Sequence, residues 1–271
     1  MAARRGRGHN AFIMNKSTYP HPLRSRIRAG ELVLGSVLSA PYASVAAQTC
    51  GTGIDFLWID TEHQPYGAEA MDLIPGLARM RGVAPMIRVA WNDPHLIKKA
   101  YDSGAVAVMV PQISNAEEAA RAVQYARYPP LGKRGMTGGR ITGFGRLPLP
   151  EYIDLANRQT PIIPMIESRA GVDALGDILQ LDGVGMIMEG ALDLALDLGL
   201  GPDPLNPRVW QTLQGMADAC LGAGVAFCAN PRTVEQNALW RARGVRSFLA
   251  GEDRGLLHNA LKARLHSLQQ Q

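Results

Sequence analysis

The sequence lacks several features whose absence narrows what the protein can be. It has only three cysteines in 271 residues, an odd number without the spacing of a zinc site. We expect Cys50, Cys220 and Cys228 to be reduced, buried thiols of a cytoplasmic protein. No run of about 18 apolar residues occurs, so no membrane span is predicted. The N-terminal region also lacks the apolar core of a secretory signal.

The N-terminal part of the chain contains no acidic residue. Residues 1–30 contain seven Lys or Arg and no Asp or Glu, although the formal net charge of the whole chain is only +4. The rest of the chain is therefore slightly acidic. Because the basic excess does not recur over the folded part, binding to nucleic acid is disfavoured. We interpret residues 1–21 as a basic, disordered extension and residues 22–271 as one folded domain.

Eight short apolar runs recur along this domain, and helical segments separate most of them. Continuous apolar runs are typical of parallel strands buried on both faces. The predicted strands are 33–38, 56–60, 84–89, 107–112, 161–167, 183–188, 225–229 and 247–251. Eight β/α alternations predict an α/β fold, the (β/α)8 TIM barrel. An open doubly wound sheet is the alternative, but no Gly-x-Gly-x-x-Gly turn follows an early strand.

One connection, between the fourth and fifth predicted strands, is unusually long. It contains residues 128–152, which are rich in Gly, Pro and Arg. Long connections of this kind are often functional. We therefore expect it at the substrate mouth, where Lys133, Arg134, Arg140 and Arg146 could meet an anionic second substrate. A solvated loop is the alternative.

Ionisable side chains collect where the predicted strands end, which is the catalytic face of a TIM barrel. Glu167 and Asp193 are candidate ligands of Mg²⁺, Mn²⁺ or a similar divalent cation, because a carboxylate at a buried strand end is costly unless it is paired or bound to metal. No cysteine or second histidine is near, which argues against a closed zinc site. A salt bridge of Glu167 and a helix-dipole role of Asp193 are the alternatives.

Arg88 and His63 are candidate catalytic residues at the same face. A guanidinium can bind a carboxylate or an enolate oxygen with two hydrogen bonds, although Arg88 could instead pair with Asp60 or Glu62. His63 is the only one of six histidines at a predicted strand end. A neutral imidazole beside a carboxylate is a suitable general base. We expect Asp60 and Glu62 to orient it or to contact the waters of the metal.

Six segments in this order resemble the HpcH/HpaI aldolase/citrate lyase family, which comprises metal-dependent (class II) aldolases with the TIM-barrel fold. They are WIDTEHQPY, MIRV, YDSGAVAVMVPQI, YPPLGKRG, PMIES and EGALDLALDLG, and the resemblance covers roughly residues 22–265. It implies a carbon–carbon lyase that acts on a 2-oxo acid, pyruvate or oxaloacetate, through a metal-stabilised enolate. It also implies a homo-oligomer, a hexamer or a dimer-based assembly, without nucleic-acid or membrane partners.

The resemblance also implies the role of each site residue. Glu167 and Asp193 correspond to the metal ligands, and Arg88 to the arginine that binds the oxo group. His63 corresponds to the base, which acts directly or through a water molecule. Asp102 corresponds to the carboxylate that pairs with this histidine. It ends the helix before the fourth strand, away from the mouth, so the pairing requires an oligomer.

The resemblance implies that the backbone amides of residues 190–193, which open a helix, bind the carboxylate of the substrate. Gly190, Leu192 and Asp193 are therefore candidate substrate-binding residues. The sequence departs from the usual pattern close to these amides. Glu189 stands where an apolar residue is usual, and the Pro of the usual Gly-Pro-Ala/Ser-Asp-Leu is absent.

A second departure is Met165, which stands where the family usually has Gln. Together with Glu189 and the segment LAGEDRG at residues 249–255, it is similar to a branch that makes citrate from oxaloacetate and acetyl-CoA for siderophore biosynthesis. Citrate synthesis is therefore the first alternative function. A non-catalytic barrel is the second alternative, and the retained Arg88 and His63 count against it.

Overall fold

A computed structural model of the protein describes residues 21–270 and folds them into a closed parallel barrel, in which β8 pairs with β1. The strands are β1 Val33–Leu38, β2 Phe56–Asp60, β3 Ala84–Arg88, β4 Ala107–Val110, β5 Ile162–Ile166, β6 Met186–Glu189, β7 Ala226–Ala229 and β8 Ser247–Glu252. The predicted TIM barrel is confirmed, and the open-sheet alternative is wrong. The predicted N-terminal extension lies outside the described residues, except for its last residue.

Helices cover the barrel on the outside. They are α1 Leu23–Arg28, α2 Ala43–Cys50, α3 Ala68–Met80, α4 Pro94–Asp102, α5 Ala116–Ala126, α6 Leu149–Gln159, α7 Arg169–Asp173, α8 Leu175–Ile178, α9 Ala191–Asp197, α10 Pro207–Gly222, α11 Val234–Ala242 and α12 Asp253–Gln269, with a 3-10 turn at Arg140–Thr142. Within residues 21–270, no helix combines the length and the apolar character needed to cross a membrane.

Several predicted strands differ from the observed ones at their ends for local reasons. β4 stops at Val110 rather than at residue 112, because Pro111 has no N–H for the ladder and Gln112 adopts a φ of 54°. β6 begins at Met186 rather than at residue 183, where Gly183 has a φ of 126°. Strand existence was thus easier to predict than strand bounds.

Alternate residues of the strands point into the barrel and form an apolar interior. They include Val33, Phe56, Trp58, Ala84, Met86, Met109, Ile163, Met165, Met186, Met188, Cys228 and Leu249, with Leu23 of α1 at the N-terminal end. The ring of Phe56 lies only 2.0 Å from where a Cβ at Gly35 would be, so glycine is required there. Because the interior is filled, the open space lies at the strand ends. The cysteines are buried and free, as predicted.

The long connection between α5 and α6 does not lie at the mouth, so that prediction is wrong. It begins after α5, the helix that leads back from the end of β4, so it starts at the N-terminal end of the barrel, opposite the catalytic face. Arg134 is buried and bonded to Asp102, and Arg140 pairs with Asp72 of α3. None of its described residues lines either of the two cavities at the C-terminal end.

Candidate active site

Arg88 is held at the C-terminal end of the barrel by two carboxylates. The register of β2 and β3 places Asp60 beside Arg88. Arg88 Nε and Nη2 donate to the two oxygens of Asp60 at 3.0 and 2.8 Å, and Nη1 lies 2.8 Å from Glu62 Oε2. The guanidinium also stacks over Trp58, 4.8 Å from the ring centroid. The ion pairs that the sequence left as an alternative therefore exist, and they fix the orientation of Arg88.

Asp60 also shapes the turn that carries His63. Its Oδ1 accepts the backbone N–H groups of Glu62 (3.1 Å) and His63 (3.4 Å), as in an Asx turn. The His63 side chain is 62% exposed, and its Nε2 lies 3.8 Å from Glu62 Oε2. Burial raises the pKa of Glu62, and the charge of Arg88 opposes this shift. Asp60 thus positions the backbone of His63, whereas Glu62 approaches its ring.

Two residues that sequence reasoning did not assign to this role position the carboxylate of Glu167. The side chain is 6% exposed, and its Oε1 accepts the backbone N–H of Gln112 at 2.7 Å. The left-handed φ of Gln112, rare for a residue other than glycine, aims that N–H at the carboxylate. A Cβ at Gly190 would lie 2.3 Å from Glu167 Oε2. Glycine at 190 therefore gives the carboxylate its space.

Glu167 and Asp193 face one cavity of about 580 Å³ at the ends of β4, β5 and β6. Burial raises the pKa of Glu167 to about 7. The hydrogen bond from Gln112 acts against this shift, whereas the negative charges of Asp193 and Glu62 add to it. The cavity therefore carries negative charge that its own cations do not neutralise.

The donor set of this cavity fits a hard divalent cation. Glu167 Oε2 and the carboxylate of Asp193 have no hydrogen-bond partner among residues 21–270. Glu62 Oε2, in contrast, is paired with Arg88. No group of three or more His, Cys, Asp or Glu side chains is arranged as a metal site in the described part of the chain. Mg²⁺ is commonly held by one or two carboxylates and keeps several waters. Two free carboxylates therefore suit this type of ion and not a closed zinc site.

The predicted carboxylate-binding amides are only partly available. The N–H of Gly190 donates to the carbonyl of Ile166 at 3.2 Å. Helix α9 begins at the next residue, so the N–H groups of Leu192 and Asp193 lie in its first turn, where no acceptor exists within the helix. The amides of residues 192 and 193, rather than that of 190, are therefore open to a ligand.

A second cavity, of about 220 Å³, lies on the other side of Arg88. Asp60, His63 and Arg88 line it together with residues from the ends of β1, β7 and β8, among them Asn230 and Arg254. The charge of Arg88 also acts on Glu167 in the first cavity. Arg88 therefore links the carboxylate pair to the histidine.

Glu189, which stands where the family usually has an apolar residue, holds Asn230 at the wall of the second cavity. Glu189 is fully buried, and its two oxygens accept the backbone N–H of Asn230 at 2.7 Å and Arg232 Nη1 at 3.1 Å. Glu189 lines neither cavity itself. The other departure, Met165, contacts Arg88 Nη1 through its sulfur at 3.6 Å. The two changes therefore act on the site through Asn230 and Arg88.

We predict that Arg232→Met destabilises the protein by ~3–5 kcal/mol, because the carboxylate of Glu189 loses its cation while it stays buried. Urea unfolding measures this loss. Arg158→Met, which removes an exposed pair with Asp154, is the control and should cost at most ~1 kcal/mol. Adding Glu189→Leu to Arg232→Met should restore part of the stability. Equal losses in Arg232→Met and the control would contradict the prediction.

We also predict that Gly190→Ala weakens metal-dependent activity by ~10- to 100-fold, because the new methyl group displaces the carboxylate of Glu167. Gly215→Ala is the matched control, since it also replaces a glycine but nothing lies within 4 Å of the added Cβ. Steady-state kinetics with added Mg²⁺ or Mn²⁺ measure the effect. Wild-type kinetics for Gly190→Ala would show that Glu167 does not need this position.

Asp102 is the last residue of α4, just before β4, and lines neither of the two cavities at the strand ends. Its Oδ1 accepts Arg134 Nη2 at 2.7 Å, and its carboxylate contacts no histidine within residues 21–270. The structure of one chain therefore does not join Asp102 and His63, and their pairing between copies stays a prediction.

Comparison with known proteins places this site in a family. Residues 37–260 match the family described as HpcH/HpaI aldolase/citrate lyase. The chain is 32% identical to 4-hydroxy-2-oxo-heptane-1,7-dioate aldolase of Salmonella typhimurium over 240 residues, which is 83% of this chain and 89% of that one. It is 35% identical to hydroxypyruvate/pyruvate aldolase of Roseovarius nubinhibens over 232 residues, 84% of this chain and 88% of that one.

Solved structures agree with these sequence matches. The crystal structure of the citrate synthase SbnG is 33% identical and has a TM-score of 0.84, covering 92% of this chain and 97% of that one. Because the family match spans most of the chain and the relatives exceed 30% identity, the chain belongs to the HpcH/HpaI aldolase/citrate lyase family and is an enzyme that makes or breaks a carbon–carbon bond.

Proposed function

We propose that the protein is a divalent-metal-dependent aldolase that acts on a 2-oxo acid such as pyruvate or oxaloacetate through its enolate. The observation that carries the proposal is the pair Glu167 and Asp193 in one cavity, next to the fixed cation of Arg88. Glu167 Oε2 and both oxygens of Asp193 accept no hydrogen bond from residues 21–270. The two relatives named as aldolases of 2-oxo or hydroxypyruvate substrates support this substrate class.

Glu167 and Asp193 would hold the metal. When bound, a divalent cation supplies Lewis-acid polarisation of an oxo group. Arg88 donates hydrogen bonds to the oxo oxygen, where negative charge develops when the neighbouring C–H loses its proton. Because Asp60 and Glu62 already orient the guanidinium, little reorganisation is needed during the reaction. The first-turn amides of Leu192 and Asp193 receive the carboxylate of the substrate.

His63 moves the proton in this proposal. Its side chain is exposed at the second cavity, beside the guanidinium of Arg88. In the cleavage direction it takes the hydroxyl proton of the aldol, and the bond between the new aldehyde and the enolate breaks. After cleavage the protonated imidazole gives this proton to the enolate carbon. In the synthetic direction the imidazole takes the proton from the same carbon and gives it to the alkoxide that forms with the new bond. The second cavity then receives the aldehyde, beside Asn230 and Arg254.

Citrate synthesis from oxaloacetate and acetyl-CoA is the second candidate function, with a role in siderophore biosynthesis. The likeness to SbnG favours it. So do Glu189, which holds Asn230 at the second cavity through a backbone hydrogen bond, and Met165, which stands in place of the usual Gln. In this version oxaloacetate accepts the carbon nucleophile, and the acetyl thioester supplies it. His63 would then take the proton from the acetyl group.

A pair of parallel assays separates the two functions. One contains pyruvate and a panel of aldehydes, and the other contains oxaloacetate and acetyl-CoA with detection of free CoA, each with Mg²⁺ or Mn²⁺ and with a chelator control. Aldol formation that stops on chelation supports the aldolase. Activity only in the second assay would overturn the aldolase in favour of citrate synthesis, and no activity in either would contradict both proposals.

We further propose that the enzyme is a homo-oligomer, a hexamer or a dimer-based assembly. Helix α12 buries none of its side chains in the described part of the chain, although it carries five exposed leucines. They are Leu256, Leu257, Leu261, Leu265 and Leu268. Light scattering after size exclusion tests this proposal, and a monomer at micromolar concentration would contradict it.

We also propose that the protein is cytoplasmic, because its three free, buried thiols suit a reducing compartment.

A further inference from the structure

Most charged side chains of the second cavity already bond to one another. Asp60 accepts two hydrogen bonds from Arg88. Glu252 accepts hydrogen bonds from the hydroxyl of Ser39 and from Nε of Arg254. Each of the two arginines that line this cavity is therefore paired with a carboxylate. A negatively charged ligand would meet no uncompensated cation there, so the cavity suits a neutral co-substrate.

Asn230 differs from these residues, because its backbone is fixed while its side chain has no hydrogen-bond partner among residues 21–270. Its N–H donates to Glu189 Oε1 at 2.7 Å, and its carbonyl oxygen accepts Arg232 Nη1 at 2.9 Å. The same nitrogen of Arg232 also reaches Glu189 Oε2 at 3.1 Å. The ion pair thus holds the backbone of Asn230 on both sides and leaves its partly exposed carboxamide free at the cavity.

The position of Asn230 identifies the part of the co-substrate that it contacts. In the proposed mechanism the reacting carbonyl carbon lies beside His63 and Arg88, at the ends of β2 and β3. Asn230 follows β7, which the closed barrel separates from β2 by β8 and β1, so it lies on another side of the same cavity. The substituent of the reacting carbon therefore extends toward the carboxamide, and Val37 and Leu249 give the cavity an apolar wall for its carbons.

A carboxamide both donates and accepts hydrogen bonds, and a hydroxyl group does the same. An apolar substituent would displace water from the carboxamide without replacing its hydrogen bonds, which costs free energy. We infer that Asn230 selects a small, neutral co-substrate with a hydroxyl group next to its reacting aldehyde, and that the ion pair of Glu189 and Arg232 positions Asn230 for this contact. The inference rests on the proposed function, in which this cavity receives the aldehyde.

Aldol formation from pyruvate and three aldehydes, with the full-length enzyme and Mg²⁺, tests the inference. Glycolaldehyde carries the hydroxyl group, acetaldehyde lacks it, and succinic semialdehyde carries a carboxylate instead. We expect the wild type to prefer glycolaldehyde to acetaldehyde in kcat/KM, and Asn230→Leu to lower this preference by ~10-fold. Because both enzymes are compared on the same two aldehydes, the different intrinsic reactivity of the aldehydes cancels from this change.

Variants of the ion pair test the positioning role. Glu189→Gln keeps an oxygen acceptor for the N–H of Asn230 and should keep the preference. Glu189→Leu combined with Arg232→Met removes both backbone contacts and should lower the preference toward that of Asn230→Leu. A purely structural role of the ion pair would change kcat/KM for both aldehydes equally, so an unchanged ratio in the double variant would overturn the positioning role.

The control is Asn237→Leu, which makes the same replacement at an exposed position of α11 and should keep the wild-type ratio. Circular dichroism and thermal unfolding report whether each variant folds. If Asn230→Leu does not fold, Asn230→Ala takes its place, because it removes the same carboxamide and adds no bulk.

The proposed function and the selection by Asn230 fail with different results. A wild type that neither exchanges the methyl protons of pyruvate nor forms any aldol would overturn the proposed function and the inference with it. A wild type that forms aldols, with an unchanged preference in folded Asn230→Leu, would overturn the inference alone. Preference of the wild type for succinic semialdehyde over glycolaldehyde would also overturn it, because the cavity would then select a negative charge.

Discussion

Glu167→Gln is expected to lose metal binding and turnover together, with kcat/KM reduced by ~10³-fold, while the protein remains folded. The amide keeps the shape of the side chain and the space beside Gly190, but it removes the charge that a hard cation requires. A Lewis-acid metal contributes several kcal/mol to catalysis, and each 1.36 kcal/mol corresponds to about tenfold in rate.

Stability should respond to Glu167→Gln in the opposite sense. Burial raises the pKa of Glu167 to about 7, so its charged form is unfavourable in the metal-free fold. Removing the charge should therefore leave the metal-free melting temperature unchanged or higher. Calorimetric titration with Mn²⁺ and thermal unfolding measure the two effects. Glu117→Gln, at an exposed acid of α5, is the control. Full metal-dependent activity of Glu167→Gln would show that Glu167 is not a metal ligand.

Arg88→Lys is expected to lower kcat by ~10²–10³-fold, the loss found when a donor to a developing oxyanion is removed. A lysine keeps the positive charge between Asp60 and Glu62, so the enzyme should stay folded. It cannot donate to both oxygens of Asp60 and to the substrate at once, because it lacks the planar fork of the guanidinium. The effect should therefore appear in kcat and not in stability.

Arg88→Met provides the contrast. It leaves Asp60, which is 4% exposed, without its cation and should destabilise the protein by ~3–5 kcal/mol. Arg158→Lys, at an exposed arginine, is the control for both measurements. If Arg88→Lys retained wild-type kcat in metal-supplemented assays, Arg88 would have only the structural role that its ion pairs show.

The barrel and the identity of the site side chains could be predicted from the sequence because both depend on local patterns. Continuous apolar runs predict buried parallel strands, and in a barrel such strands all end at one face. That rule was enough to group Asp60, His63, Arg88 and Glu167. It does not depend on knowing how the side chains contact one another.

The residues that position Glu167 were not assigned to that role because their effect depends on three-dimensional proximity. Gln112 acts through its backbone N–H and a left-handed φ, for which the side-chain type gives no signal. Gly190 was chosen for its amide, yet the structure shows that its missing Cβ makes room for Glu167. A glycine directly before a helix was the only available indication.

The predicted position of the long connection at the mouth was wrong for a topological reason. Its composition favoured a functional loop, but its position after a helix already assigned it to the N-terminal end of the barrel. Arg134 therefore lies buried beside Asp102 instead of facing a substrate. The segment nevertheless makes specific contacts, since the N–H of Arg134 donates to the carbonyl oxygen of Arg127 at 2.8 Å.

In the proposed mechanism, the protein abstracts a proton from carbon with the help of a divalent cation held by Glu167 and Asp193. Exchange of substrate protons for deuterium, followed by NMR in D₂O, tests it without a co-substrate. We expect the methyl protons of pyruvate to exchange when the enzyme is supplied with Mg²⁺ as the only divalent cation. The exchange should stop when a chelator is added or when the enzyme carries Glu167→Gln. Exchange that persists under both conditions, or its absence from pyruvate with Mg²⁺ present, would contradict the account.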